Sequence, residues 1–376
     1  MFDVDLGCYD NWWLPHPPGP MPPGCFLALS RLVKEYFAEH GVRSNLGLEF
    51  PVVGVGKLGY PDLAEQALRD GACDMIMLAR PLLADPEWPR KAYAGRVGEI
   101  VPCIGDQEAC LNEFIHGGHI QCTVNPRTGF EEQIPRDLIP AASPKRVAVV
   151  GAGPAGVTCA TLAAERGHEV TLFERREAAG GMLIPGSAPR TKYEVANYRE
   201  YLRARLAQCA RQHKLEVHFC AEASACLLRE GGYDAVVLCT GGRLACPRVD
   251  GIDGAHVVQA VDLLENPALA HGAGRVVVVG GGDVGCEVAH FLAYELPGAE
   301  ERRVTVVEML PHFMKGSCTA NRGYLIHHLE KAGVALWNCT RLLRVEPGGV
   351  VVARNVSRTV PSPYVTWTPV LPENVK

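Results

Sequence analysis

Two glycine-rich segments of the same form, GAGPAG and GGGDVG, constrain the fold of this chain more than any other feature. Each follows an apolar run, RVAVV or RVVVV, and precedes a helical pattern and a second apolar run that ends in a glutamate. In such a strand–turn–helix–strand unit, the first glycine permits a tight turn and the second lets backbone approach a pyrophosphate. The third lets the helix pack closely on the strand. The chain is therefore predicted to contain two parallel α/β units of the dinucleotide-binding type.

The first unit carries Gly151, Gly153 and Gly156. The helix that follows offers unpaired N–H groups and a partial positive charge to phosphates. Glu174, about 20 residues on, is placed to accept hydrogen bonds from ribose hydroxyls. The alternative is a tight α/β turn that binds no ligand.

The second unit repeats this pattern and ends in Glu308, after Gly280, Gly282 and Gly285. An acidic residue at this position favours a free 2′-hydroxyl and repels a 2′-phosphate, so NADH is predicted over NADPH. Arg302 and Arg303 lie close in sequence and weaken that preference.

Two such units about 130 residues apart resemble the two-dinucleotide flavoprotein reductases, in which one fold holds FAD and the other NAD(P)H. Gly180 and Gly181, in ERREAAGGML, match the glycine pair of the FAD half. Thr240 and Gly241, in YDAVVLCTGG, match the turn where the chain passes between the halves. The resemblance implies that these four residues also contact FAD. The late strand ending in Gly-Asp that closes the FAD site in that family has no counterpart in this sequence.

The stretch VVGVGKLGYPDLAEQALRDGACDMIMLARPLLADPEWPRK resembles the last two βα units of the flavin-binding TIM barrel of the old yellow enzyme family. The resemblance implies an FMN phosphate held after one strand by Gly56 and Lys57 and after the next by Ala79 and Arg80. Lys57 stands where glycine is commoner and adds positive charge. For Arg80, the alternative is a surface salt bridge before a helix.

Between these regions lie CIGDQEAC and CTVNP. Cys103, Cys110 and Cys122 match three positions of the pattern C-x2-C-x3-C-x11-C, which resembles a [4Fe–4S] ligand set, and Asp106 stands at the second position. Carboxylate is a harder and weaker donor to iron than thiolate. Three outcomes stay open: a cluster with Asp106 as fourth ligand, a three-iron or labile cluster, or a lost cluster. Three unrelated cysteines are the further alternative.

The order of these motifs resembles one group of enzymes, which contains 2,4-dienoyl-CoA reductase, trimethylamine dehydrogenase, the 2-enoate reductases and the bile-acid-inducible flavin oxidoreductases. The predicted fold is α/β, the C-terminal part of a TIM barrel followed by an iron–sulfur segment and two Rossmann-like domains. The predicted regions are a partial flavin barrel (1–100), the iron–sulfur segment and linker (101–143), the FAD domain (144–245), the NAD(P)H domain (246–350) and a truncated return toward the FAD domain (351–376). A whole barrel takes about 250 residues, so the resemblance implies an interior piece of a longer enzyme.

The resemblance implies electron transfer from NAD(P)H through FAD and the cluster to FMN. FMN then reduces the C=C bond of an α,β-unsaturated carbonyl, which is an enoate, an enoyl-CoA or a steroid or bile-acid enone. The alternatives are amine dehydrogenation and a nucleotide-binding fragment without turnover. The proline-rich loop CYDNWWLPHPPGPMPPG lies on the predicted active-site face, so Tyr9, Asn11 and His16 are candidates for protonating the substrate by location.

Composition excludes some classes of partner. A net charge of −5 gives no reason to expect nucleic acid or an anionic membrane. The longest apolar runs are too short to cross a bilayer. The 15 cysteines are mostly scattered singly, which indicates a reducing cytoplasm rather than a disulfide scaffold. A small-molecule substrate is expected, and a homo-oligomer is left open.

Overall fold

The structure is a computed structural model, and it describes residues 1–8 and 11–366. The predicted α/β class is confirmed: parallel strands alternate with helices along the chain. Among the described residues, no helix combines the length and apolar character that crossing a membrane requires.

The front of the chain forms a small parallel sheet of order β1-β2-β3, made of β1 (Phe2–Val4), β2 (Val52–Gly54) and β3 (Met75–Ile76). Its helices are α1 (Leu27–Glu39), α2 (Pro61–Arg69), α3 (Arg80–Ala84) and α4 (Trp88–Tyr93). Three of these helices carry proline in the first turn, where the missing N–H removes no helical hydrogen bond. The loops that follow β2 and β3 meet at the carboxyl edge of this sheet.

The stretch that carries Cys103, Cys110 and Cys122 (residues 101–130), called the cysteine segment below, has little regular structure. It contains one π-helical turn (Glu108–Asn112), which continues into the short helix α5 (Glu113–Ile115). Three of its apolar side chains pack against the core of the region that follows, namely Val101, Ile104 and Val124. The segment is therefore fixed to the first glycine-loop unit.

That first unit is a four-stranded parallel sheet of order β6-β5-β4-β7. The strands are β4 (Arg146–Val150), β5 (Glu169–Phe173), β6 (Leu215–His218) and β7 (Ala235–Leu238). The helices are α6 (Pro154–Glu165), α7 (Leu183–Gly186), α8 (Tyr193–Gln212) and α9 (Ala225–Glu230). Helix α8 buries Leu202, Leu206 and Cys209, which lie on one face because they are three or four residues apart. This stripe packs on the same core as β4 and β5.

The second unit has a parallel sheet of order β10-β9-β8. Its elements are α10 (Ala260–Glu265), β8 (Arg275–Val279), α11 (Asp283–Tyr294), β9 (Arg303–Val307), α12 (Thr319–Lys331) and β10 (Ala335–Trp337). An antiparallel hairpin of β11 (Thr340–Glu346) and β12 (Gly349–Arg354) follows.

Residues 351–376 were predicted to return toward the first unit. In the structure, the first of them complete β12. The Tyr364 hydroxyl then accepts a hydrogen bond from the Leu336 amide (3.1 Å) and donates to the Val334 carbonyl (3.0 Å). The chain up to Thr366 therefore lies against the second unit, and the rest of this stretch is outside the described residues.

Candidate functional site

The first glycine loop leaves no room for a side chain at its third glycine. Gly151 follows β4 with φ +102°, a backbone angle that favours glycine. Helix α6 begins three residues later, and a Cβ on Gly156 would lie 1.7 Å from the Gly151 carbonyl oxygen. The close approach of loop and helix therefore requires glycine, and it places the loop beside the start of α6, whose first amides have no partner within the helix.

The remaining predicted FAD residues surround this loop. The Gly180 amide donates to the Ala152 carbonyl (2.9 Å), and a Cβ on Gly181 would lie 2.9 Å from the Gly153 Cα. Thr240 and Gly241 come directly after Cys239, whose carbonyl oxygen would be 2.4 Å from a Cβ on Gly151. The structure thus brings all the residues assigned to FAD to one edge of one sheet.

Glu174 has a structural role that the sequence did not predict. Its carboxylate is 7% exposed and accepts hydrogen bonds from the Ala152 amide (2.7 Å) and the Arg176 amide (2.8 Å). The carboxylate therefore holds the glycine loop in place. Each of its oxygens has a second lone pair, which can accept a ribose hydroxyl.

The second loop repeats this arrangement. Gly280 has φ +100°, Gly282 precedes α11, and a Cβ on Gly285 would lie 1.8 Å from the Gly280 carbonyl oxygen. The Glu308 carboxylate accepts hydrogen bonds from the Gly281 and Leu310 amides, both at 2.7 Å.

The two arginines near Glu308 in sequence do not reach this loop. Arg302 is buried and donates to four backbone carbonyls, those of Ala270, Ala273, Leu292 and Pro297. Arg303 begins β9, at the opposite end of that strand from Glu308, and a five-residue strand is about 16 Å long. Neither guanidinium is placed to bind a 2′-phosphate.

A cavity of about 370 Å³ lies at the carboxyl edge of the front sheet. Its volume is within the range of about 300–1,000 Å³ for small-molecule sites. The four residues assigned to FMN all line it, namely Gly56, Lys57, Ala79 and Arg80. Three other sequence candidates line it as well: His16, Cys103 and Cys110.

Arg80 has the feature expected of an anion ligand. Its Nη2 donates to the Pro17 carbonyl (2.8 Å), whereas its buried Nη1 has no hydrogen-bond partner among the described residues. A buried guanidinium nitrogen without a partner is costly, and a phosphate oxygen would satisfy it. The cavity therefore fits the phosphate of a flavin mononucleotide.

Lys57 does not add free charge to this cavity. Its side chain is 3% exposed, and its ammonium lies 3.1 Å from the carboxylate of Glu194, at the start of α8. The same ammonium donates to three carbonyls of the proline-rich loop, those of Pro18, Gly19 and Met21. The charge of the Lys57 ammonium is therefore neutralised by Glu194. Nothing in the sequence around Glu194 indicated this pairing.

The cysteine segment lies between two cavities. Cys103 and Cys110 line the first cavity, and Asp106 lines a second one of about 280 Å³. The second cavity is also lined by Asp283, the first residue of α11, and by Lys192, just before α8. This geometry connects the segment with the start of the second glycine-loop helix on one side and with the predicted FMN site on the other.

The three thiols are buried well enough to be neutral without metal. Burial raises the pKa of Cys103 to about 12 and also raises the pKa values of Cys110 and Cys122. Metal binding to them would therefore release protons. Thiolate is the main ligand of iron–sulfur clusters, so these three residues have the donor chemistry that such a cluster takes.

The candidates for protonating a substrate differ in position. His16 lines the first cavity, and burial lowers the pKa of its imidazole, which is therefore neutral near pH 7. Asn11 accepts a hydrogen bond from the Cys8 amide (2.8 Å), which closes a local turn, and it is not among the lining residues of that cavity. Tyr9 lies outside the described residues.

Comparison with known proteins assigns about 60% of the chain to a protein family. Residues 145–368 match the family model of pyridine nucleotide-disulphide oxidoreductases. The chain is 34% identical to an NADH oxidase of Thermoanaerobacter brockii, over 87% of this chain and 50% of that protein. It is 33% identical to a cinnamate reductase of Clostridium sporogenes, over 86% of this chain and 45% of that protein.

A solved structure shares the fold over nearly the whole chain. The structure of a 2-naphthoyl-CoA reductase in complex with 2-naphthoyl-CoA superposes with a TM-score of 0.79 at 28% identity, and covers 90% of this chain and 48% of that one. The chain spans about half the length of the curated relatives it matches.

Proposed function

Because this chain belongs to the pyridine nucleotide-disulphide oxidoreductase family, we propose that it passes electrons from NADH to the C=C bond of an α,β-unsaturated acyl compound. The first glycine loop would hold FAD, which can accept hydride from nicotinamide, and the cysteine segment and Arg80 would hold an iron–sulfur cluster and FMN, which can carry electrons onward. The position of the cysteine segment between the two cavities carries this proposal. Cinnamate and naphthoyl-CoA, which two of the similar proteins are named for, are both unsaturated acyl compounds.

The residues of the chain have distinct tasks in this function. The glycine loops and their glutamates, Glu174 and Glu308, bind and orient the two dinucleotides. Arg80 binds the FMN phosphate together with the amides after β2. Cys103, Cys110 and Cys122 hold the cluster. His16 lies in the cavity where the unsaturated compound would meet the flavin.

The test is an anaerobic assay of the chain loaded with FAD, FMN, Fe²⁺ and sulfide, with cinnamate as the probe substrate. We expect NADH oxidation that depends on cinnamate and on FMN. Ferricyanide can take electrons directly from FAD. NADH oxidation that ferricyanide supports and cinnamate does not would therefore contradict the proposal that an unsaturated acyl compound is the electron acceptor.

Replacing Arg80 by alanine is expected to weaken FMN binding by about 10- to 100-fold, because one charge-assisted hydrogen bond contributes about 1.5–3 kcal/mol. Fluorescence titration of the chain with FMN measures the Kd. The Kd of Arg80→Lys for FMN should lie between those of the native chain and Arg80→Ala, since lysine keeps the charge but not the planar pair of donors. Arg69, whose side chain is 72% exposed, offers a control in Arg69→Ala. An unchanged Kd in Arg80→Ala would exclude Arg80 from the phosphate site.

Replacing Met309 by arginine is expected to increase kcat/KM for NADPH relative to NADH about tenfold. Met309 follows Glu308 and is 65% exposed, so an arginine there can reach a 2′-phosphate and form a charge-assisted hydrogen bond. The rate of FAD reduction by each nucleotide, measured anaerobically, gives the ratio. Leu46→Arg adds the same charge at an exposed position of the front region, between α1 and β2, and should leave the ratio unchanged. Equal use of both nucleotides by the native chain would contradict the role of Glu308.

A further inference from the structure

We propose that the carboxylate of Asp106 is the fourth ligand of the cluster, and that the iron it holds is exchangeable. Mild oxidation then removes this one iron reversibly and leaves a three-iron cluster. This inference rests on the cluster proposed above and assigns its fourth position.

The backbone around Asp106 presents the side chain in a fixed direction. Gly105 and Gln107, on either side of it, both have left-handed backbone angles, φ +65° and +63°. The Asn321 side chain, on α12, donates a hydrogen bond to the Asp106 carbonyl. The chain therefore makes a clamped turn at this position.

The carboxylate itself is oriented by a neighbour of a predicted ligand. The hydroxyl of Thr123, the residue after Cys122, donates to Asp106 Oδ2 at 2.6 Å. This bond fixes one carboxylate oxygen and leaves Oδ1 for a metal. Carboxylate ligands in metal sites are commonly oriented by such second hydrogen bonds.

Hydrogen bonds hold the segments that carry the three cysteines around Asp106. The residue before Asp106, Gly105, donates its amide to the Cys103 thiol (3.5 Å), and the residue after Cys122 donates to the Asp106 carboxylate. The Gln121 amide donates to the Ala109 carbonyl (2.8 Å), which joins the chain next to Cys122 to the chain next to Cys110.

Of the four iron sites in the proposed cluster, the one bound by Asp106 would hold its iron most weakly. A carboxylate is a harder and weaker ligand for cluster iron than a thiolate. Asp106 also lines the second cavity together with Glu108 and Asp283, whose carboxylates can bind Fe²⁺ as it leaves, and with Glu287, which is paired with Lys192. Loss of the iron balances as [4Fe–4S]²⁺ plus ferricyanide giving [3Fe–4S]⁺, Fe²⁺ and ferrocyanide. Ferricyanide takes one electron, and the Fe²⁺ leaves with its bonds to Asp106 and to three cluster sulfides broken.

Cys318 is the rival for the fourth position. It is fully buried at the start of α12, its thiol donates to Gln107 Oε1 (3.4 Å), and its amide donates to the Glu108 carboxylate (2.8 Å), two residues before Cys110. If the Cys318 thiolate were the fourth ligand, all four irons would be bound by thiolates and would be equally hard to remove. The two assignments predict opposite behaviour on oxidation.

The experiment compares the native chain with Asp106→Cys, Asp106→Ala and Cys318→Ser after anaerobic loading with Fe²⁺ and sulfide. Each is treated with one equivalent of ferricyanide, and iron content and the electron paramagnetic resonance spectrum are recorded. We expect the native chain and Cys318→Ser to lose one of four irons and show the signal of an oxidised three-iron cluster. Fe²⁺ with a reductant should restore four irons. Asp106→Cys should keep all four, and Asp106→Ala should hold three from the start.

Three results overturn the inference: four firmly bound irons in the native chain, the same behaviour in Asp106→Ala as in the native chain, or loss of the corner iron in Cys318→Ser alone. A cluster in Asp106→Cys but none in the native chain would also overturn it, and would show that the site has lost its cluster. Iron binding to none of the chains would instead reject the cluster in the proposed function.

Discussion

FAD binding is expected to be lost when Gly156 is replaced by alanine. The added Cβ would lie 1.7 Å from the Gly151 carbonyl oxygen, so helix α6 must move away from the glycine loop. That movement takes the amides of the loop and the helix start away from the pyrophosphate. Losing two charge-assisted hydrogen bonds costs roughly 3–6 kcal/mol, which corresponds to about 10²- to 10⁴-fold in Kd. Flavin content after purification and titration with FAD measure the effect.

The matched control is Gly186→Ala in the same unit. A Cβ at Gly186 meets no atom within 4 Å, so this variant should bind FAD normally. Circular dichroism and NADH binding at the second unit check that Gly156→Ala is folded. FAD binding by folded Gly156→Ala with native affinity would show that the first loop is not the FAD site.

Reduction of bound FAD by NADH is expected to fall about hundredfold when Gly285 is replaced by alanine. A Cβ here would lie 1.8 Å from the Gly280 carbonyl oxygen, which forces α11 away from its loop. A displacement of about 1 Å at a binding loop is enough to cost on the order of 10²-fold in rate. Flavin content should be native, because the first loop is unchanged.

Gly274→Ala is the control for this variant, since its Cβ also meets no atom within 4 Å. It should reduce FAD at the native rate. The pair of variants separates the two sites: Gly156→Ala loses the flavin, whereas Gly285→Ala keeps the flavin and loses its reduction. If Gly285→Ala lost FAD and kept NADH binding, the assignment of the two loops would be reversed.

The parts of the fold that could be predicted are those set by local sequence. A glycine loop and its flanking strand and helix lie within about 30 residues, and their spacing reflects direct contacts such as Gly156 against Gly151. The resemblance to flavoprotein reductases is confirmed by the family match for the same reason, since it rests on whole motifs in order.

Contacts between distant segments could not be predicted. The charge of Lys57 was expected at the FMN phosphate, but it is neutralised by Glu194, which is 137 residues away in the chain. Likewise, Glu174 and Glu308 were assigned to ribose hydroxyls, and their hydrogen bonds to the loop amides depend on how tightly each loop folds back. The sequence around a single charged residue does not indicate which distant residue it contacts in the folded protein.

Anaerobic titration of the FAD-loaded chain with NADH tests most directly whether the two loops work as a donor and an acceptor site. The visible absorption band of the flavin should bleach in proportion to added NADH and be complete near one NADH per FAD, because hydride transfer moves two electrons. A flavin that dithionite bleaches but NADH leaves unchanged would contradict electron entry from nicotinamide, and would favour amine dehydrogenation or nucleotide binding without turnover.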